Sequence, residues 1–155
     1  MKDISIRKAT NEDLESIINL YMQLWQTEQI FDSNLKDLYY STKKSRKEFI
    51  KDIKNNYFLL AIYENKIVGY LDGYYIKNKD AFKEKMAYLD ELSVENNYKK
   101  LGIGSKLIDA FTELCKKDKV KYIKLCAFEN NIPAVSLYKK LGFEEYSVVY
   151  RKRID

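Results

Sequence analysis

YLDELSVENNYKKLGIGSKLIDAFTEL, Tyr88 to Leu114, is the stretch from which the rest of the chain can be placed. Tyr88 to Val94 is composed like a strand and is closed by Glu95-Asn96-Asn97. Lys99-Lys100-Leu101-Gly102-Ile103-Gly104-Ser105 follows, and from there Ile103, Leu107, Ile108, Phe111, Leu114 and Cys115 recur at helical spacing. A glycine pair at a helix start has a physical use. The first-turn N–H groups have no partner within the helix, and the aligned peptide dipoles place partial positive charge there. Glycine lets an anion approach those groups and tolerates unusual backbone angles. With Lys99 and Lys100 beside it, the loop reads as a phosphate or pyrophosphate cradle. A bare G-x-G also suits a tight turn with no ligand. The dinucleotide fingerprint requires a small residue where Leu107 stands, and Lys106 is wrongly spaced for a Walker loop.

Upstream, Ile4 to Ala9 alternates as a first strand. Thr10-Asn11-Glu12-Asp13 is a cap signal before a helix with Leu14, Ile17, Ile18, Tyr21, Leu24 and Trp25 on one face. Residues 29–40 are irregular. A second helix is expected from about Ser41 or Thr42, using Phe49, Ile50 and Ile53, with a lysine-rich solvated face. Tyr57–Tyr63 and Ile67–Ile76 are strands, and the short link Glu64-Asn65-Lys66 makes them an antiparallel hairpin. Lys77 to Lys85 is a charged loop.

Downstream, Tyr122 to Phe128 alternates as a strand. It is joined to the Tyr88 strand through a helix, so the two are expected to be parallel neighbours. Pro133 opens a helix carrying Ala134, Leu137, Tyr138 and Leu141, Gly142 ends it, and Glu145 to Arg151 is expected as a last strand. The order β-α-α-β-β-β-α-β-α-β describes one mixed α/β domain over residues 1–155.

The 155 residues suffice for a core, and the charged residues are interspersed, which argues against disorder. No apolar run is long enough to span a bilayer, and the N-terminus has no signal-peptide core, so a cytoplasmic protein is expected. Cys115 and Cys126 make no disulfide framework or metal motif. With no histidine, no metal is expected, and proton transfer must use carboxylates, tyrosine, cysteine, lysine or water. The net charge of +5 suits a polyanionic small molecule or RNA, but the lysines are dispersed rather than striped, against a nucleic-acid partner.

Two motifs in series resemble one family. Leu92-Ser93-Val94 followed by Tyr98-Lys99-Lys100-Leu101-Gly102-Ile103-Gly104 resembles the acyl-CoA motif of the GNAT N-acetyltransferases, Arg/Gln-x-x-Gly-x-Gly/Ala after a strand ending in Val. Asn131-x-x-Ala134-x-x-Leu137-Tyr138-Lys139-Lys140-Leu141-Gly142-Phe143 resembles that family's second motif. The departure is Lys99, which keeps the charge of the usual arginine but loses its fork. The resemblance implies a GNAT fold: a mixed, mostly antiparallel sheet, helices on both faces, and parallel strands at Tyr88–Val94 and Tyr122–Phe128 that splay apart. It implies that acetyl-CoA lies along the backbone of Leu92, Ser93 and Val94. Lys99, Lys100, Leu101, Gly102, Ile103, Gly104 and Ser105 would take the pyrophosphate, with Asn131, Ala134 and Tyr138 toward the thiol end.

The same resemblance makes Tyr138 the acid that protonates the leaving sulfur. A backbone N–H of Leu92 or Ser93 is the oxyanion candidate. Asp90 and Glu91 are adjacent on a strand and so are expected on opposite faces, with one toward the substrate. Glu91 is read as the base and Asp90 as its rival. Asp32, Asp37 and Asp72 are read as surface residues before pocket residues, and the acceptor pocket is assigned to residues 29–40 and 77–85. The expected reaction is direct acetyl transfer to a small cationic amine, such as a polyamine or aminoglycoside. The alternatives are a protein lysine or N-terminal amine, or a non-catalytic acyl-CoA-binding module. The resemblance is also compatible with a homodimer, through exposed strand edges or aromatics.

Overall fold

The computed structural model describes residues 3–36, 43–77 and 81–155. Its elements are β1 (Ser5–Lys8), α1 (Leu14–Phe31), α2 (Lys43–Asn55), β2 (Tyr57–Tyr63), β3 (Lys66–Tyr75), β4 (Met86–Val94), α3 (Ile103–Lys117), β5 (Tyr122–Lys124) and α4 (Ile132–Lys140). The sheet runs β1-β2-β3-β4-β5; β1 to β4 are antiparallel neighbours and β5 joins β4 in parallel. This is the mixed sheet and order that the sequence implies, as far as α4.

Alternation along the strands fills two cores. Leu59, Ala61, Val68, Leu71, Ala87 and Leu89 face α3, which returns Ile103, Leu107, Ile108 and Phe111. Phe58, Leu60 and Tyr70 face the other way, onto Ile17, Ile18 and Tyr21 of α1 and Phe49 and Ile53 of α2. Gly73 lets α3 approach the sheet, since a Cβ there would lie 2.7 Å from the Phe111 ring. The cap before α1 forms as read: Asp13 accepts from the Thr10 N–H at 2.8 Å and is gripped by both terminal nitrogens of Arg7.

Four expectations need correction. Ile50 is 39% exposed and not part of the core. The strand expected over Tyr122–Phe128 ends at Lys124, because its ladder with β4 covers only Met86–Tyr88. Glu145–Arg151 is not a strand: it is exposed and joins no ladder, and a strand exists only where a neighbour takes its backbone groups. Finally, β4 is irregular at the point that matters most. Asp72 of β3 pairs with Glu91, but Gly73 pairs with Leu89, which leaves Asp90 unopposed as a β-bulge. Ser41, Thr42 and Asp37 lie outside the described residues.

Candidate active site

Beyond Tyr88, β4 has no neighbour on its β5 side among the described residues, so residues 89–94 form an open edge inside the sheet. The direction of the N–H groups along this edge follows from the ladder. The Glu95 N–H donates to Val68 O at 2.8 Å, toward β3. Successive N–H groups of a strand alternate, so Ser93 also points to β3, while Leu92 and Val94 point to the open edge. Of the two oxyanion candidates, Leu92 therefore has the available N–H. The Ser93 hydroxyl donates to Leu20 O at 2.9 Å and fixes β4 to α1.

The glycine loop then turns into α3. Gly102 has φ of +79°, a left-handed value that favours glycine, and it caps the helix without a side-chain bond. The first N–H of the helix bonded back to this turn is that of Lys106, to Gly102 O at 3.0 Å, so the amides of residues 103–105 face outward. Lys99, Lys100 and Leu101 are exposed, and Ile103 is buried in the α3 core, so only its backbone serves the loop. Gly104 has a second purpose: a Cβ there would be 3.2 Å from Leu137 of α4. The two motifs of the sequence therefore touch at this glycine.

Asn131 caps α4 by accepting from the Ala134 N–H at 3.4 Å, and Pro133 occupies the first turn. Asn131 and Ala134 are half-buried. Tyr138 is half-buried with its ring edge-on to Phe143, 5.8 Å between centroids. Among the described residues its hydroxyl makes no hydrogen bond. Burial, and then the charge of Glu28, push its pKa up to about 12, so it keeps its proton at neutral pH.

The other half of the site is a pocket of about 170 Å³ lined by Glu48, Phe49, Lys51, Asp52, Asp72, Asp90 and Glu91. Asp90 and Glu91 share it, which overturns the expectation of opposite faces. The bulge is the reason: one extra residue shifts the alternation, so two consecutive side chains turn toward α1 and α2. Asp72 is also corrected, from surface to buried at 3% exposure. Asn56 of the α2–β2 link holds it with an amide at 3.0 Å. Tyr70 donates to Glu91 at 2.7 Å.

Asp52, Asp72, Asp90 and Glu91 of this pocket, and Glu28 beside it, are all shifted in the same direction. Burial raises Asp72 to about 7 against the opposing bond from Asn56, with Asp52 and Asp90 adding repulsion. Burial lifts Glu91 well above its ordinary range, against the opposing bond from Tyr70 and reinforced by Asp72, Asp90 and Glu28. Asp52, Asp90 and Glu28 are raised too, each mainly by burial. So many acids in one concavity disfavour each other's ionised form and favour a bound cation. This is local, because the chain as a whole is basic.

Sequence reasoning missed Glu28, Glu48 and Asp52. Glu28 follows Tyr21, Leu24 and Trp25 along the apolar stripe of α1, and a carboxylate on such a stripe was the available signal. Asp52 lies between Phe49 and Ile53 at the edge of the buried face of α2. Asp32 is not in the pocket lining and pairs with Arg151 at 2.8 Å. Of the segments expected to build the acceptor pocket, residues 37–40 and 78–80 lie outside the described residues; among the described residues α2, β3 and β4 line it. Among the described residues, no group of three or more His, Cys, Asp or Glu side chains is arranged to hold a metal ion.

The chain is 30% identical over 155 residues to an uncharacterised N-acetyltransferase of Methanocaldococcus jannaschii, covering 96% of this chain and 64% of that protein. It thus spans less than two thirds of that relative. It is 27% identical to a spermine/spermidine N(1)-acetyltransferase of Bacillus subtilis, over 91% of this chain and 88% of that one. The PaiA N-acetyltransferase of Thermoplasma acidophilum, solved with coenzyme A, has the same fold: TM-score 0.79, 23% identity, 95% of this chain and 93% of that one. The model of the acetyltransferase (GNAT) family matches residues 14–143, and this chain belongs to that family.

Proposed function

We propose that this protein transfers an acetyl group from acetyl-CoA directly to a primary amine of a small polycation, such as a polyamine or aminoglycoside. The observation that carries this reading is the carboxylate pocket at the bulge of β4, on the strand whose other edge stands open. A relative of 27% identity is a spermine/spermidine acetyltransferase, which agrees with a cationic acceptor.

The residues present fit acetyl-CoA. The outward amides of residues 103–105, with Lys99 and Lys100 beside them, suit the pyrophosphate. The Leu92 and Val94 backbone suits a pantetheine arm, which pairs with an edge as a strand would. Bound acetyl-CoA supplies the thioester carbonyl that the amine attacks.

The chain's own groups then divide the work. Asp90, at the exposed position of the bulge, receives the ammonium together with Asp72 and Asp52. Glu91, with its raised pKa, takes the proton that the amine must lose before it can attack. The Leu92 N–H holds the developing oxyanion. Tyr138, protonated at neutral pH, donates its hydroxyl proton to the departing sulfur. The carbon–nitrogen bond forms first and the carbon–sulfur bond then breaks; the ammonium gives one proton to Glu91 before attack and, as the amide forms, a second that restores the proton Tyr138 gave to the sulfur, while the Glu91 proton passes to solvent.

The test is free-thiol release from acetyl-CoA with a panel of polyamines, aminoglycosides, amino acids and lysine peptides. Release with polycations above the others is expected, with Tyr138→Phe slower by about tenfold or more at unchanged acetyl-CoA affinity. Tight acetyl-CoA binding with no release for any amine would replace this reading with a non-catalytic acyl-CoA-binding module. Release with lysine peptides alone would move the acceptor to protein.

A further inference from the structure

Tyr74 of β3 and Tyr88 of β4 continue the acceptor face past the carboxylate pocket. Gly73 faces Phe111 of α3, and Ala87 and Leu89 belong to the α3 core. Alternation therefore sends Tyr74 and Tyr88 to the opposite side, where Asp72 and Asp90 line the pocket. The two tyrosines are partners in the ladder, and their rings stack with centroids 5.6 Å apart. Tyr74 follows Asp72 by two residues, and Tyr88 precedes Asp90 by two on the antiparallel strand. The stacked pair thus sits one strand repeat, about 6.6 Å, from both carboxylates.

A cross-strand tyrosine pair can serve the sheet alone. Here the pair is not sealed: Tyr74 is 36% exposed and Tyr88 is half-buried. Among the described residues neither hydroxyl makes a hydrogen bond, so the rings are what the pair offers. No cation among the described residues covers them. Lys124 stands opposite Tyr88 in the ladder, but its ammonium lies 5.0 Å from the Tyr146 ring centroid and 6.0 Å from that of Phe82.

The rings also stand in the field of the acids. Burial raises the pKa of both hydroxyls. Asp90 and then Asp72 raise Tyr74 further, and Cys126 and then Asp90 do the same for Tyr88. An aromatic face beside carboxylates attracts a cation through its quadrupole and through their charge together. With the reacting nitrogen at Asp90, a second ammonium one strand repeat away falls on the tyrosine pair. A chain of four methylenes between two nitrogens spans that distance. A linear polyamine sets its nitrogens in file along a strand, whereas the rings of an aminoglycoside spread theirs in several directions.

We propose that Tyr74 and Tyr88 form a subsite for the second ammonium of a linear polyamine whose terminal nitrogen lies at Asp90. The subsite rests on the acceptor reading above and narrows it, from small polycations to linear polyamines with nitrogens three or four methylenes apart. The test compares 1,4-diaminobutane with 1-aminobutane, which differ in the second ammonium. Their binding to the full chain with coenzyme A present is measured by calorimetry, and their acetylation by thiol release from acetyl-CoA. The diamine should bind about tenfold or more tightly than the monoamine. Tyr74→Leu and Tyr88→Leu should each cut that ratio about threefold or more, while Tyr74→Phe and Tyr88→Phe keep the ring and should preserve it. A folding defect would weaken both amines and leave the ratio standing. A ratio near one in the native protein, a ratio unchanged in both Leu variants, or a ratio lost in the Phe variants as in the Leu variants would overturn the subsite. Loss of aminoglycoside binding in the Leu variants, with the diamine ratio unchanged, would overturn it in favour of a platform for sugar rings. Absence of thiol release with either amine bears on the transfer reading alone, because the binding ratio is measured without turnover.

Discussion

The two halves of the site lie on one strand and are built from different materials. The half beside α3 is made of backbone: outward amides at the helix start, a left-handed glycine, and two N–H groups on an open edge. The half beside α1 and α2 is made of side chains: carboxylates gathered from α2, β3 and β4, with Glu28 of α1 near enough for its charge to be felt. Backbone groups reach their places once the local chain folds, so a short motif is enough to encode them. The carboxylates converge only through tertiary packing, and no spacing in the sequence relates Asp52 to Asp72 or Glu28 to Asp90.

This contrast can be broken most directly at Glu91. Replacing it with Gln should lower kcat by about a hundredfold or more and leave the KM for acetyl-CoA unchanged, because the acceptor half alone loses a proton acceptor. If Asp90→Asn produces that loss and Glu91→Gln does not, the roles on the bulge are exchanged. Steady-state kinetics with both substrates varied decides between them.

Asp72→Asn should raise the KM for the amine by about tenfold while acting on stability in a pH-dependent way. The carboxyl titrates at about 7 in the folded protein against an ordinary 3.8. Below the ordinary value both folded and unfolded chains hold the proton and nothing is lost. As pH rises from there to about 7 the unfolded chain alone releases it, so folding becomes progressively less favourable. The Asn variant escapes that loss. Its unfolding free energy should exceed the native protein's at pH 8, by on the order of 1–3 kcal/mol, and match it near pH 4. Denaturant titrations at the two pH values measure this. An Asp72 that stabilises the fold at pH 8 would contradict the pocket's electrostatics.

Smaller effects are expected on the backbone half. Gly102→Ala meets no atom within 4 Å but must hold a left-handed φ, at a cost of about 1–2 kcal/mol. The KM for acetyl-CoA should rise a few-fold and that for the amine should not change. Lys99→Arg restores a fork for phosphate and should lower the acetyl-CoA KM by about twofold or threefold. If Gly102→Ala impaired the amine and spared acetyl-CoA, the division into halves would fail.

The order of elements through α4, the antiparallel hairpin, the parallel pair and the glycine turn are all legible in the chain alone. Each depends on a period of 2 or 3.6, or on residues within one turn, and such signals are local. The sequence also placed Asp90 and Glu91 on the strand that matters, but it assigned them to opposite faces. The folded sheet puts them on one face, because a bulge is defined by the register between β3 and β4 and not by either strand alone. The same holds for Asp72, buried by neighbours distant in the chain, and for residues 145–151. That segment has the composition of a strand, but a strand needs a neighbour for its backbone groups, and a neighbour is a matter of position in space that no local pattern encodes.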